Sequence, residues 1–262
     1  MVFVEADLKP LSKSLILTHS AFLLSIAVLL HILITLGHLS EFTFPHPLRI
    51  LIEFSNLPYN SIIPRGFFHH LTVSVNSIFV ASLLLIGFVF PLSLVIALWR
   101  KLKIILEPVI LPLFAIPPII YFPIILLLVG FGVEVKILMG AIVGAPPIFI
   151  YTINAVRVLK TEYIKLGLIY TKSFLKILFK IILPSIIPIV MTGIRFGVSY
   201  VFVGVIFAEM TAGGEGLGFL ISWSTTTLRV PLIYANVMVV LLLSLLFYSA
   251  TYFIEKRVAT GR

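Results

Sequence analysis

The sequence predicts an all-α polytopic membrane protein with about six transmembrane helices. Three observations carry this. First, 60% of the residues are hydrophobic, only 11% are charged, and the mean hydropathy is +1.20. A soluble domain is about half apolar and roughly a quarter charged. Second, the stretches Ser14–Ser40, Gly66–Trp99, Pro108–Val133, Ile137–Val156 and Val230–Ile254 contain no Asp, Glu, Lys or Arg, and Ile181–Ala208 contains only Arg195. Crossing the hydrocarbon layer takes about 20 mostly apolar residues. Third, none of these runs alternates as barrel strands do, which leaves helices, whose backbone satisfies itself in lipid. The composition excludes a cytosolic, disordered or collagen-like chain.

The first run follows Lys9 and Lys13 and lacks a small-x-small cleavage pattern, so it reads as a retained helix and not a removed signal. Glu41–Arg65 is an outer loop in which Pro47–Phe54 fits a short interfacial helix. The third span carries Pro108, Pro112, Pro117, Pro118 and Pro123. Each removes a backbone donor, which is tolerated where neighbours or a cavity satisfy the freed groups. That span is either a kinked helix buried in the bundle or a bend that shapes a substrate path. Pro146 and Pro147 repeat the theme in the fourth span. With no internal repeat and no low-complexity linker, residues 1–262 read as a single transmembrane domain.

Orientation follows from the basic residues. With a cytoplasmic N-terminus, fourteen of the nineteen Lys and Arg fall on the inner side. Arg49, Arg65, Lys136 and Arg229 fall outside, and Arg195 lies within a span. Both termini are therefore expected in the cytoplasm, and the net +9 reflects topology and not nucleic-acid binding. The longest inner loop, Arg157–Lys180, holds six basic residues and one acid, Glu162. On a helix, Lys165, Lys172, Lys176 and Lys180 share one face. Such a segment either lies on anionic headgroups or docks on a cytoplasmic partner.

Enzyme chemistry has little to stand on. No Gly-Lys pair occurs, so there is no phosphate-binding loop. There are no cysteines and no His-Glu-x-x-His. His69 and His70 are adjacent and diverge by about 100° on a helix, so they read as headgroup-level polar residues and not metal ligands. No metal and no cofactor is expected. Two ionisable residues accompany the fifth span, and charge at membrane depth invites a functional reading. Arg195, placed about halfway along, either snorkels or pairs with carbonyls, or lines a polar path for an anion. Glu209 falls at the outer mouth before the Gly213–Gly218 turn.

Several motifs resemble one family. Ala115-Ile116-Pro117-Pro118 with Pro123 and Gly130-Phe131-Gly132, then Asn154-Ala155-Val156-Arg157, resemble the third and fourth helices of binding-protein-dependent ABC importer permeases of the sulfonate/nitrate/taurine-type branch. The stretch ending in Leu183-Pro184-Ser185-Ile186-Ile187-Pro188 resembles the close of that family's cytoplasmic EAA loop, and Gly193-Ile194-Arg195 its "GLR". Ala208-Glu209-Met210 with Gly216-Leu217-Gly218-Phe219-Leu220-Ile221 resembles "AEM…GLGYLI". Counting back from Pro184, the EAA glutamate falls on Lys165, its alanines on Leu166 and Gly167, its glycine on Thr171, and a serine is kept at Ser173. With a slip of a few residues, Glu162 takes the acid's place.

The resemblance implies a type I permease of an ATP-driven importer, multi-pass in the cell membrane, with no enzymatic activity of its own. Its implied partners are a second permease copy, cytoplasmic ATPase subunits and an extracytoplasmic solute-binding protein. A coupling loop of about residues 157–184 would meet the ATPase through Glu162, Lys165, Leu166, Gly167, Thr171, Ser173 and Pro184. The path or gate for a small anionic or polar organic solute would involve Pro117, Pro118, Asn154, Arg195, Glu209, Gly214, Gly216 and Gly218. The alternative is a stand-alone secondary transporter, which commonly shows inverted repeats.

Overall fold

The structure, a computed structural model, describes residues 43–159 and 173–260, with positions 25, 28, 32, 40, 167, 169 and 171. Most of the expected first span, and Glu162, Lys165 and Leu166, lie outside the described residues. Among the described residues every regular element is helical. The interfacial segment forms α1 (Pro47–Asn56). α2 (Phe67–Leu84) runs through a π turn at Leu85–Val89 into α3 (Phe90–Leu98). There follow α4 (Arg100–Leu113), α5 (Pro118–Val129) and α6 (Val133–Val158). α7 (Phe174–Ile177) passes through a second π turn, Leu178–Ile182, into α8 (Leu183–Ala212). α9 (Leu217–Thr226) and α10 (Val230–Thr260) complete the order.

Among the described residues, four continuous helices are long and apolar enough to cross a membrane: Phe67–Leu98, Val133–Val158, Phe174–Ala212 and Val230–Val258. The expected third span is not one helix. α4 ends at Leu113, the chain turns through residues 114–117, and α5 restarts with Pro118 in its first turn. Pro118 is a physical cause: a proline disfavours helical geometry in the residue before it, and Pro117 there is extended, with ψ 136°. Arg100–Lys103 forms the first turn of α4, and the segment after the glycine turn that ends α8 forms α9.

Both π turns have the same origin. Pro91 and Pro184 each lack the N–H that would bond four residues back, and each ring would press on that carbonyl. Just before them, the N–H of Phe90 bonds to Leu85 O and that of Leu183 to Leu178 O, five residues back. One extra residue per turn absorbs the clash, and the helix continues.

The core is the seam between α6 and α8, flanked by α2 and α3. Ile78, Ala81, Leu85, Ile148, Val198 and Val201 are buried in it. Lipid gives no hydrophobic drive between helices, so close contact must come from small residues. A Cβ added at Gly204 would lie 2.5 Å from the carbonyl oxygen of Met139, and one at Gly144 would lie 2.8 Å from that of Gly197. The two backbones therefore touch. Gly204→Ala should destabilise the chain by about 1–3 kcal/mol, the usual range for overpacking, read by thermal unfolding in detergent. Gly87→Ala, where nothing lies within 4 Å, should be neutral. Equal melting of both variants would refute the seam.

Candidate functional site

The end of the bundle that the distribution of basic residues places outside, called the outer end, is organised by the first turn of α9. A helix N-terminus leaves backbone N–H groups without intrahelical partners. Here three successive N–H groups are met by side chains from other helices. Gly216 N–H donates to His70 Nδ1 at 3.0 Å. Leu217 N–H donates to Ser74 Oγ at 2.8 Å. Gly218 N–H donates to Glu209 Oε2 at 2.9 Å. Ser74 Oγ lies 2.8 Å from both Glu209 oxygens, to which it donates. His70 Nδ1 accepts, so its Nε2–H donates to Pro64 O at 2.7 Å. His70, Ser74 and Glu209 are fully buried. An acid at a helix N-terminus also faces the positive end of the helix dipole.

The glycines of this motif are required by that contact. Gly216 sits at φ +111°, and a Cβ there would lie 2.1 Å from the Glu209 carboxyl carbon. A Cβ on Gly218 would lie 2.3 Å from Ile206 O. Glu209, Gly216 and Gly218 are thus brought together, while Gly214 is exposed at the rim.

Above this layer, Glu215 gathers basic side chains from two other segments. Arg65 Nη1 is 3.3 Å and His69 Nε2 3.0 Å from its Oε2, and Lys136 Nζ is 3.7 Å from Oε1. Lys136 Nζ also donates to the Glu215 carbonyl at 3.0 Å. Lys136 is buried, although it is charged. His69 and His70, read as headgroup-level residues, instead hold Glu215 and Gly216. The sequence reading missed Arg65, His69, His70, Ser74, Lys136 and Glu215. The opposite charges near helix ends were a signal, but the partners are far apart in the chain.

Pro117 is exposed and Pro118 half-buried. Pro118 joins Phe114, Tyr121, Pro146, Pro147 and Tyr200 around a cleft of about 390 Å³. Asn154 is exposed farther along α6. At the other end, Arg157 pairs with Glu107 at 2.7 Å. Gly167 is buried against Ile177 and Ile181, whereas Ile169 is 78% exposed. Thr171 Oγ1 accepts from Ser173 N–H at 3.2 Å, and Pro184 follows the second π turn.

Arg195 stands apart from the cleft and the outer cluster. Its Nε is 2.7 Å from Glu255 Oε2 on α10, its Nη1 meets the Tyr248 hydroxyl, and Phe196, Tyr248 and Tyr252 surround the guanidinium. Glu255 also accepts from Thr192 Oγ1 at 2.6 Å. Arg195 is the 22nd of the 39 residues of the continuous helix Phe174–Ala212, about halfway along it. Removing one partner of a buried pair is costlier than removing both. Arg195→Leu should destabilise by the low end of about 3–5 kcal/mol, and Arg195→Leu/Glu255→Leu by clearly less. Additive losses in denaturant melts would contradict this.

The His69 hydrogen bond, then Lys136 and Arg65, hold the Glu215 carboxyl below its ordinary range against the opposing pull of partial burial. A lowered folded-state value means the stabilisation is complete above the unfolded carboxylate value of about 4.3. It disappears as pH falls through the folded value. The melting gap between the native chain and Glu215→Gln should be full at neutral pH and close in acid; a pH-independent gap would exclude the ionised carboxylate as its source.

Residues 89–260 match the family described as the binding-protein-dependent transport system inner membrane component. A probable ABC transporter permease protein of Haemophilus influenzae is 27% identical over 234 residues, covering 86% of this chain and 91% of that one. The taurine transport system permease protein TauC of Escherichia coli is 25% identical, covering 90% and 86%. The putative aliphatic sulfonates transport permease protein SsuC of Bacillus subtilis is 23% identical, covering 87% and 81%. A solved chain of the MetNI methionine ABC transporter in inward-facing conformations superposes with a TM-score of 0.56 at 19% identity, covering 74% of this chain and 94% of that one. That likeness concerns the fold alone. Glycine-packed crossings, a proline-broken third crossing and a family match that runs from α3 to α10 agree, and the chain belongs to the inner-membrane components of binding-protein-dependent transport systems, the permease subunits of ABC transporters.

Proposed function

We propose that two copies of this chain form the translocation path of an ATP-driven importer for a small polar or anionic organic solute. The observation that carries the path is the cleft of about 390 Å³ at the break between α4 and α5. It faces the proline pair of α6 and Tyr200 of α8, on the two helices whose backbones touch. Movement of α6 against α8 would change its shape. Glu209, Gly214, Gly216 and Gly218 act in this reading at the outer gate, facing a solute-binding protein. Pro117 and Pro118 shape the path, and Asn154 lies below them. Arg195 fastens α8 to α10 instead of lining the path. Both termini face the cytoplasm, as the distribution of basic residues supports.

Coupling to cytoplasmic ATPase subunits is assigned to residues 157–184. The helix Phe174–Ala212 has 39 residues, about 58 Å of rise, so it outruns the hydrocarbon layer and its foot reaches the loop. Gly167, Thr171, Ser173 and Pro184 build that foot, and Gly167 faces inward on Ile177 and Ile181. Among the described residues of the loop, Ile169 offers its side chain outward, 78% exposed. Glu162, Lys165 and Leu166 belong to the same loop.

Reconstitution in proteoliposomes tests the whole reading. Uptake should need ATP, the ATPase subunit and the binding protein; uptake by the permease alone would favour the stand-alone transporter. Within the loop, Ile169→Asp should lower ATPase co-purification several-fold, and Lys176→Ala or Lys180→Ala should matter less. If the lysine variants release the ATPase and Ile169→Asp does not, the docking surface is misplaced.

A further inference from the structure

The outer cluster holds more than a structural contact requires. Three donors from two segments converge on one carboxylate: Arg65 and His69 on Glu215 Oε2, and Lys136 facing Oε1. Lys136 is 2% exposed and carries its charge into a protein interior, which is costly unless the charge is paired. The same Arg65, Lys136 and Glu215 line a cleft of about 320 Å³, closed by Phe131, Gly132 and Gly213-Gly214. That is the small end of the size range of ligand pockets.

The carboxylate itself is mounted on a pivot. Gly213, Gly214 and Gly216 have φ of +74°, +88° and +111°. Glycine crosses that region without the steric cost other residues carry, so Glu215 can leave its partners with little backbone strain. Arg65, by contrast, is a non-glycine residue at φ +59°. The carbonyl of the preceding Pro64 is bonded to His70, and Arg65 lines the cleft. The other nearby acids do not substitute for Glu215. Glu209 is occupied by Ser74 and Gly218, and the Glu134 carboxylate lies against Gly132 on the far rim.

We propose that Arg65, His69 and Lys136 form an oxyanion-binding subsite at the outer mouth, occupied in the resting chain by Glu215 and taken over by the carboxylate or sulfonate of an arriving solute. The proposal rests on the permease reading for its solute, but the subsite itself is testable without transport. An acceptor with two oxygens reproduces what Glu215 offers, and charge-assisted bonds to Arg and Lys suit it. Because Glu215 competes intramolecularly, at an effective concentration in the millimolar range, a dilute free anion cannot displace it. A solute handed over at the mouth can.

The test titrates methanesulfonate against chloride at constant ionic strength, with the full-length permease in detergent, and reads the melting temperature. Glu215→Gln should show a saturable rise, with half-saturation at least about tenfold lower than in the native chain. Glu215→Gln/Lys136→Met should show none. A flat response in Glu215→Gln, or one that survives loss of Lys136, overturns the proposal. Should Glu215→Gln fail to fold, Arg65→Gln decides: its side chain is 63% exposed, so the fold tolerates it. Half-saturation at least about fivefold weaker than in the native chain supports the subsite, and equal titrations overturn it. An intact titration beside failed uptake of anionic solutes would discard the solute reading and keep the subsite.

Discussion

Contact between the backbones of α6 and α8 is the constraint on which the remaining structure depends. Gly144 meets the Gly197 carbonyl and Gly204 the Met139 carbonyl. No side chain stands between the two helices there, so their separation is set by main-chain atoms. Everything of functional interest is hung on this pair. Tyr200 and the proline pair of α6 face the central cleft. Glu209 and Lys136, one from each helix, supply the outer end. A packed interior is discrete in its arrangements, so a shift of one helix along the other is felt at all of these places.

The outer end shows how a short helix is kept in an apolar setting. α9 would leave its first N–H groups bare, which is expensive where water is scarce. His70, Ser74 and Glu209 come from α2 and α8 to meet them. The polar layer is therefore not incidental decoration of the mouth. It is what lets the chain reverse between α8 and α10. The ion cluster around Glu215 sits on top of that layer and is more open to solvent.

Much of the fold was legible because its causes are local. Apolar length marked the crossings of α2–α3, α6, α8 and α10, and Pro47 with its amphipathic followers marked α1. The broken third crossing was foreseen as a kinked helix or a bend but not as two helices, since proline content alone does not say where the chain restarts. The motif Glu209…Gly216…Gly218 was recognised, yet its physical role was not, because His70 and Ser74 are more than 130 residues away in the chain. The partner of Arg195 was missed for a similar reason: Glu255 lies on α10, far along the chain from α8.

The pairing of Arg195 with Glu255 has a consequence for how the protein is made. Glu255 lies almost at the last helical turn of α10, whereas Arg195 belongs to the preceding long crossing. During synthesis the guanidinium enters the bilayer before its counter-ion has left the ribosome. A bare arginine at the centre of a helix costs about 2.5–3.5 kcal/mol on insertion scales. With Phe196 beside it on the same helix, the guanidinium rests over an aromatic ring while it waits, an attraction that offsets part of that cost. The paired, largely enclosed state is a late stitch of assembly, closed only when α10 packs against α8.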